Sequence, residues 1–183
     1  QIDEMRADGV EVHSALPSSL LSLPFVRPDL RLHRKIVVVD HRIGFTGSLN
    51  MADPLTFKKD AGVGEWVDAM ARIEVPVVKA VAAAFQVAWT VESGVPTDAE
   101  QWATTGEMAE PIGNAAVQLL PSGPTSRGDA IESVVLTAIY SARRKLVLTT
   151  PYFVPGESLL TALLSAASSG VDVTLVIPAK VDS

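Results

Sequence analysis

Read for the spacing of its apolar positions, the chain switches between a two-residue and a helical period. Ile36-Val37-Val38-Val39 is a β-branched run and predicts a buried strand. Asp40-His41-Arg42 reads as a turn, and Ile43-Gly44-Phe45-Thr46 as a returning strand, with Gly47 allowing the backbone to bend. Glu65–Glu74 alternates, with Trp66, Asp68, Met70 and Arg72 on one side and Val67, Ala69, Ala71 and Ile73 on the other. Pro76 is placed to open a helix at its first position. Val77, Val81, Phe85 and Trp89 recur every fourth residue as an apolar stripe that stops at Gly94. At the start of the chain, Gln1–Asp8 reads as the end of a helix, Gly9 as its stop, and Val10-Glu11-Val12 as the beginning of a strand.

The last third predicts βαβαβ. Val117–Leu120 reads as a strand and Ser122-Gly123-Pro124 as a turn. Asp129 is a candidate N-cap with Glu132 three residues on. Ile131, Val134, Val135, Ala138 and Ala142 form the apolar face of the helix that follows. Lys145–Thr149 reads as a strand, Leu159, Leu160, Leu163, Leu164 and Ala167 as a helical stripe ending at Gly170, and Val171–Ile177 as another strand. Gly9-Val10-Glu11-Val12 and Gly170-Val171-Asp172-Val173 match in type, and Pro17 and Pro178 follow at the same 161-residue offset. Helix, glycine, strand and proline recurring in order point to an internal repeat.

The expected layout is residues 1–93 as the C-terminal part of a first half, 94–116 as a connector, and 117–183 as the N-terminal part of a second half, cut at both ends. The connector rests on charge: no Lys or Arg falls between Lys79 and Arg127, while Glu92, Asp98, Glu100, Glu107 and Glu110 do. Trp102 suggests that it still packs somewhere. Leu16–Pro28 is a loop punctuated by Pro and Ser, with Leu20, Leu21, Leu23 and Phe25 either tucked onto the core or forming an apolar lip for lipid.

Composition narrows the function. The 183 residues are 48% hydrophobic, enough to bury a core. A net charge of −6 counts against sequence-blind nucleic-acid binding. There is no Cys, so thiolate chemistry and disulfides are excluded. His13, His33 and His41 cannot build a His-rich zinc site, and no metal or other cofactor is called for. His13 has no evident partner and reads as structural.

The chemistry concentrates in Leu32–Asn50, where His33, Lys35, Asp40, Gly47, Ser48 and Asn50 stand in the spacing H-x-K-x4-D-x6-G-S-x-N. On a strand His33 and Lys35 would share a face, about 6.6 Å apart along the chain. An imidazole, a compact cation and two neutral hydrogen-bonding groups could meet at one end of a hairpin, a set that suits a phosphodiester.

This spacing resembles the HKD motif of the phospholipase D superfamily. Within it the chain looks like the bacterial cardiolipin synthases, through Leu30–Asp40, Thr46–Asn50, Asp60–Asp68 and Thr149–Pro155. Leu32 stands where Asn is frequent and Val75 where Gly is frequent, which touches local loop geometry. The resemblance implies an α/β/α sandwich with a pseudo-twofold repeat, two motif copies sharing one active site. It also implies a phosphatidyltransferase that joins two phosphatidylglycerols into cardiolipin and releases glycerol through a phosphohistidine. The substrate would be an anionic phospholipid at a membrane surface, the inner membrane of a bacterium, with spanning segments upstream. The second motif would begin near position 194; oligomeric state is not set by these residues.

Carried to this chain, His33 is the nucleophile or its acid partner, and Lys35 neutralises phosphoryl charge. Ser48 and Asn50 hold non-bridging oxygens. Asp40 belongs to the motif but, beyond the strand end, reads as bracing the turn. Asp68 is the candidate carboxylate to orient His33, against the ordinary reading of a carboxylate paired with Arg72 or with solvent. Tyr152 is either a pocket residue or a core aromatic. Two other classes stay open: a phosphodiesterase or nuclease, and a non-catalytic scaffold.

Overall fold

The structure, a computed structural model, describes residues 1–14, 33–53, 67–74, 76–96, 113–122 and 128–179. The 20–25 loop, the block 60–66, Val75, Trp102 and the Gly123-Pro124 turn lie outside the described residues. The chain mixes helix and strand and divides into two compact units. The first holds the described residues up to Met51 and from Val67 to Leu119, and the second holds Ala52, Asp53 and those from Leu120 on.

The first unit opens with α1 (Ile2–Ala7). It ends as the glycine predicts: Gly9 takes the left-handed conformation at φ +87°, and the Val10 N–H reaches back to the Met5 carbonyl at 3.0 Å. Val10–Val12 carries no strand. The Arg6 guanidinium instead donates to the Val12 carbonyl at 3.2 Å, taking up an acceptor that a ladder would use.

A three-stranded antiparallel sheet follows, in the order β1 (Ile36–Val39), β2 (Ile43–Gly47), β3 (Met70–Glu74). The β1–β2 turn is tight, with Asp40 and His41 both left-handed at φ +50° and +54° and the Arg42 N–H on the Val39 carbonyl at 3.0 Å. Asp and His are among the residues that tolerate this region. β1 is half-buried rather than buried, because Ile36 and Val38 are partly covered while Val37 and Val39 are exposed. The alternation of Glu65–Glu74 becomes a strand only from Met70, and Val67–Ala69 have no regular secondary structure.

Helix α2 (Val78–Ser93) packs on β1 and β2 and ends at Gly94, left-handed at φ +68°. It begins after a Pro76-Val77 turn rather than at Pro76. Its buried face is Val78, Val81, Ala82 and Gln86, so the fourfold series Val77, Val81, Phe85, Trp89 is only partly the core stripe. A four-residue step overshoots a helical turn by about 40°, and the series drifts off the buried face. At its end Trp89 stacks near Phe85, with ring centroids 5.9 Å apart, and receives His13 edge-on at 4.7 Å. That contact gives His13 a packing role. Gly44 is buried where helix meets sheet. A Cβ there would lie 3.2 Å from Ile73 and 3.6 Å from Val78.

In the second unit α3 (Ala130–Ser141) leads to β4 (Lys145–Thr149), α4 (Glu157–Ser168) and β5 (Asp172–Val176). β4 and β5 pair in parallel from Lys145↔Asp172 to Thr149↔Val176, with α4 as the crossover. Asp129 stands at the N-cap position of α3, but its side chain makes no capping hydrogen bond there. Val117–Leu120 forms no strand, since apolar alternation supplies no partner for its backbone. The core is Ile139, Ala162, Ala166 and Val171, flanked by Val135, Leu136, Ala142, Leu146, Leu159, Leu163 and Val173. Ile131, Val134, Leu160 and Leu164, expected inside, are exposed. On α4 Ala162 and Ala166 are the buried residues, with Leu159 and Leu163 beside them, while Ala167, expected inside, is exposed.

Candidate active site

The sheet of the first unit sorts the candidate residues by its two ends. His33 and Lys35 immediately precede β1, Ser48 and Asn50 immediately follow β2, and Asp68 precedes β3 by two residues. Because the three strands run antiparallel, the start of β1, the end of β2 and the start of β3 all lie at the same end. Asp40 lies in the turn at the opposite end, the length of β1 away. The structure therefore groups five of the six motif and relay residues by end and separates Asp40 from them. The left-handed turn that Asp40 occupies accounts for its residue type without any chemistry.

His33 and Lys35 are not on the strand, so strand alternation does not orient them. His33 is exposed. The Lys35 ammonium turns back and donates to the His33 carbonyl at 2.7 Å, which ties the cation to the main chain of the very residue it is expected to assist. An ammonium has three N–H donors, so this bond leaves it further capacity.

Ser48 is engaged at close quarters. Its N–H donates to the Ala69 carbonyl at 3.0 Å, and its hydroxyl accepts the Ala69 N–H at 2.9 Å and approaches the Ala69 carbonyl at 3.4 Å. The expected phosphate ligand thus has its Oγ on the backbone beside Asp68. Gly47 explains how the segments come so near. A Cβ at Gly47 would sit 2.1 Å from the Ala69 carbonyl oxygen and 2.8 Å from the Met70 Cα. The glycine serves close approach of two strands rather than a bend.

Asp68 is partly exposed. Arg72, its ordinary candidate partner, pairs with Glu74 instead. Asn50 is exposed at the same end. Ala69 is the one residue of this region that side-chain reasoning passes over, since it acts only through its backbone. Among the described residues, no group of three or more His, Asp or Glu is gathered to hold a metal ion. In the second unit Thr150 and Tyr152 follow β4. The Thr150 hydroxyl donates to the Tyr152 carbonyl at 2.8 Å, folding the start of the Pro151–Pro155 segment, and Tyr152 itself is more than half exposed.

Comparison with known proteins adds a likeness along nearly the whole chain. The chain is 44% identical over 184 aligned residues to a protein of Pectobacterium carotovorum, covering 98% of this chain and 37% of that one. The resemblance is to cardiolipin synthase A. The cardiolipin synthases A of Edwardsiella ictaluri and Citrobacter koseri are equally similar, each 44% identical with the same coverage. The chain therefore spans a little over a third of the length of these synthases. No protein-family model matches it, and no solved structure does so significantly. Among the described residues, no helix is long and apolar enough to cross a membrane.

Proposed function

We propose that this chain contributes one motif copy to a cardiolipin-forming phosphatidyltransferase of the phospholipase D superfamily. The observation that supports the reading is that the segments carrying His33, Lys35, Asn50 and Asp68 lie at one end of a single sheet. Similarity to cardiolipin synthase A along nearly the whole chain supplies the reaction class.

In this reaction one of two imidazoles, His33 or its counterpart in a second copy, attacks the phosphorus of phosphatidylglycerol. The bond from phosphorus to the headgroup oxygen breaks, and the other imidazole, protonated, gives that oxygen its proton. Glycerol leaves and a phosphohistidine remains. A terminal hydroxyl of a second phosphatidylglycerol then gives its proton to the imidazole that acted as acid, attacks phosphorus and frees the first imidazole. Cardiolipin is the product. Each proton transfer contributes roughly 10² to 10⁴ in rate. Lys35 neutralises charge on the phosphoryl oxygens, Asn50 donates to one of them, and Asp68 orients His33.

The two-copy plan fits features of the fold. The caps of α1 and α4 share three backbone hydrogen bonds at the repeat offset, and Ser169 makes one more, to the Ala166 carbonyl. Asp8 and Ser169 each donate back four residues, Gly9 and Gly170 back three, and Val10 and Val171 back five. Both glycines are left-handed, at +87° and +88°. The exposed Val37 and Val39 suit a sheet that is covered on both faces, as in the α/β/α sandwich of the superfamily. The acidic balance of the chain and its apolar 20–25 segment count against nucleic acid as the substrate.

The test is His33→Ala in a protein spanning both motif copies, assayed on phosphatidylglycerol vesicles for cardiolipin and glycerol together. The unaltered protein should release both in equal amounts and the variant neither. Normal turnover in the variant would remove His33 from the mechanism. Phosphatidic acid without cardiolipin from the unaltered protein would make it a hydrolase.

A further inference from the structure

Ser48 is the motif residue whose position fits its expected role least well. Its hydroxyl, though exposed at the sheet end, is already engaged with the main chain. With the adjacent main-chain amide it makes a two-way bond to one residue, Ala69, at 3.0 and 2.9 Å. The β2–β3 register ends at Gly47↔Met70, and the next pair along would be Ser48 and Ala69. There the hydroxyl takes the place that the Ser48 carbonyl would fill if the ladder ran on. A side-chain acceptor thus closes the sheet while the backbone is released toward Asn50. Gly47 works with it, since only a residue without a Cβ lets the Ala69 carbonyl come so close.

What this clamp holds is the residue next to Asp68. We propose that Ser48 is a positioning residue: by fixing the backbone of Ala69 it sets where the Asp68 carboxylate is presented at the sheet end. The inference rests on the reading that Asp68 orients His33. It assigns the Gly47-Ser48 pair to the relay rather than to the phosphate. Threonine should serve in place of serine, because it keeps the oxygen. Alanine should not. Cysteine, close in shape but weak as donor and acceptor, should fall between them.

The experiment is a double-mutant cycle in the two-copy protein with phosphatidylglycerol vesicles, using S48A, S48C, S48T, Asp68→Asn and Ser48→Ala combined with Asp68→Asn. Misplacing a relay group costs roughly 10- to 100-fold in rate. S48A is expected to lose that much in kcat with KM for phosphatidylglycerol changed less than about twofold, and S48T to restore most of it. The combined variant should be no slower than Asp68→Asn alone, because a misplaced carboxylate that is already lost cannot be lost again. Amide exchange at Ala69 should quicken in S48A while α2 stays protected. If S48A does not fold, S48C carries the same cycle. Losses that multiply in the combined variant would place Ser48 on the phosphate and overturn the inference. Full activity in S48A beside a crippled Asp68→Asn would overturn it too. Full activity in Asp68→Asn would instead remove the relay reading beneath it.

Discussion

Asp68 and Asp40 are both acidic, both close to the motif, and separated by what their backbones do. Asp40 occupies a left-handed turn at the far end of β1, while Asp68 enters β3 at the end that His33 and Lys35 share. Asp68→Asn should therefore keep the fold and lower turnover by one or more orders of magnitude, as with other carboxylates that orient a histidine. Asp40→Asn should leave turnover within about twofold, because Asn tolerates positive φ as well as Asp does. Steady-state rates on phosphatidylglycerol vesicles check both, and a large loss in Asp40→Asn with an unchanged melting temperature would return Asp40 to the catalytic set. Gly47→Ala places a methyl group against the Ala69 carbonyl. It should destabilise by about 1–3 kcal/mol, the usual cost of overpacking, read from the urea midpoint.

The elements divide by how they are held. The second unit is a parallel pair of strands with helices α3 and α4, and its core centres on Ile139 and on the alanines of α4. Ile139→Ala should cost about 2–5 kcal/mol by urea unfolding, since Ile139 is 1% exposed. Leu164→Ala, at an exposed position, should cost less than about 0.5 kcal/mol. The sequence reading favours the reverse, because it counts large apolar residues and places Leu160 and Leu164 inside. Packing distance decides otherwise: small residues let α4 lie close, and the leucines one step round the helix stay outside. Caps were more legible. Gly9, Gly94 and Gly170 stop their helices as read, because a left-handed residue is a local demand that glycine meets alone. The hairpin was legible for a similar reason, with a β-branched run before a three-residue turn and an apolar return after it. Strand existence was not legible at Val10–Val12 or Val117–Leu120, where the alternation is present and, among the described residues, no strand pairs with it. The site was legible as a set of side chains at one hairpin end. The hold of Ser48 on Ala69 was not, since a backbone partner leaves no trace in residue types.

For the whole molecule, the proposed reaction needs two imidazoles, and the motif in this chain supplies one. Removing one member of a cooperating catalytic set costs about as much as removing the set. The proposed 161-residue repeat would put the counterpart of His33 near position 194. The decisive measurement compares the purified 183-residue chain with a chain extended in both directions through the second motif, on phosphatidylglycerol vesicles, reading cardiolipin and glycerol. The account predicts cardiolipin from the longer chain and none from the shorter, even at high protein concentration. Turnover by the short chain equal to that of the long one would contradict it.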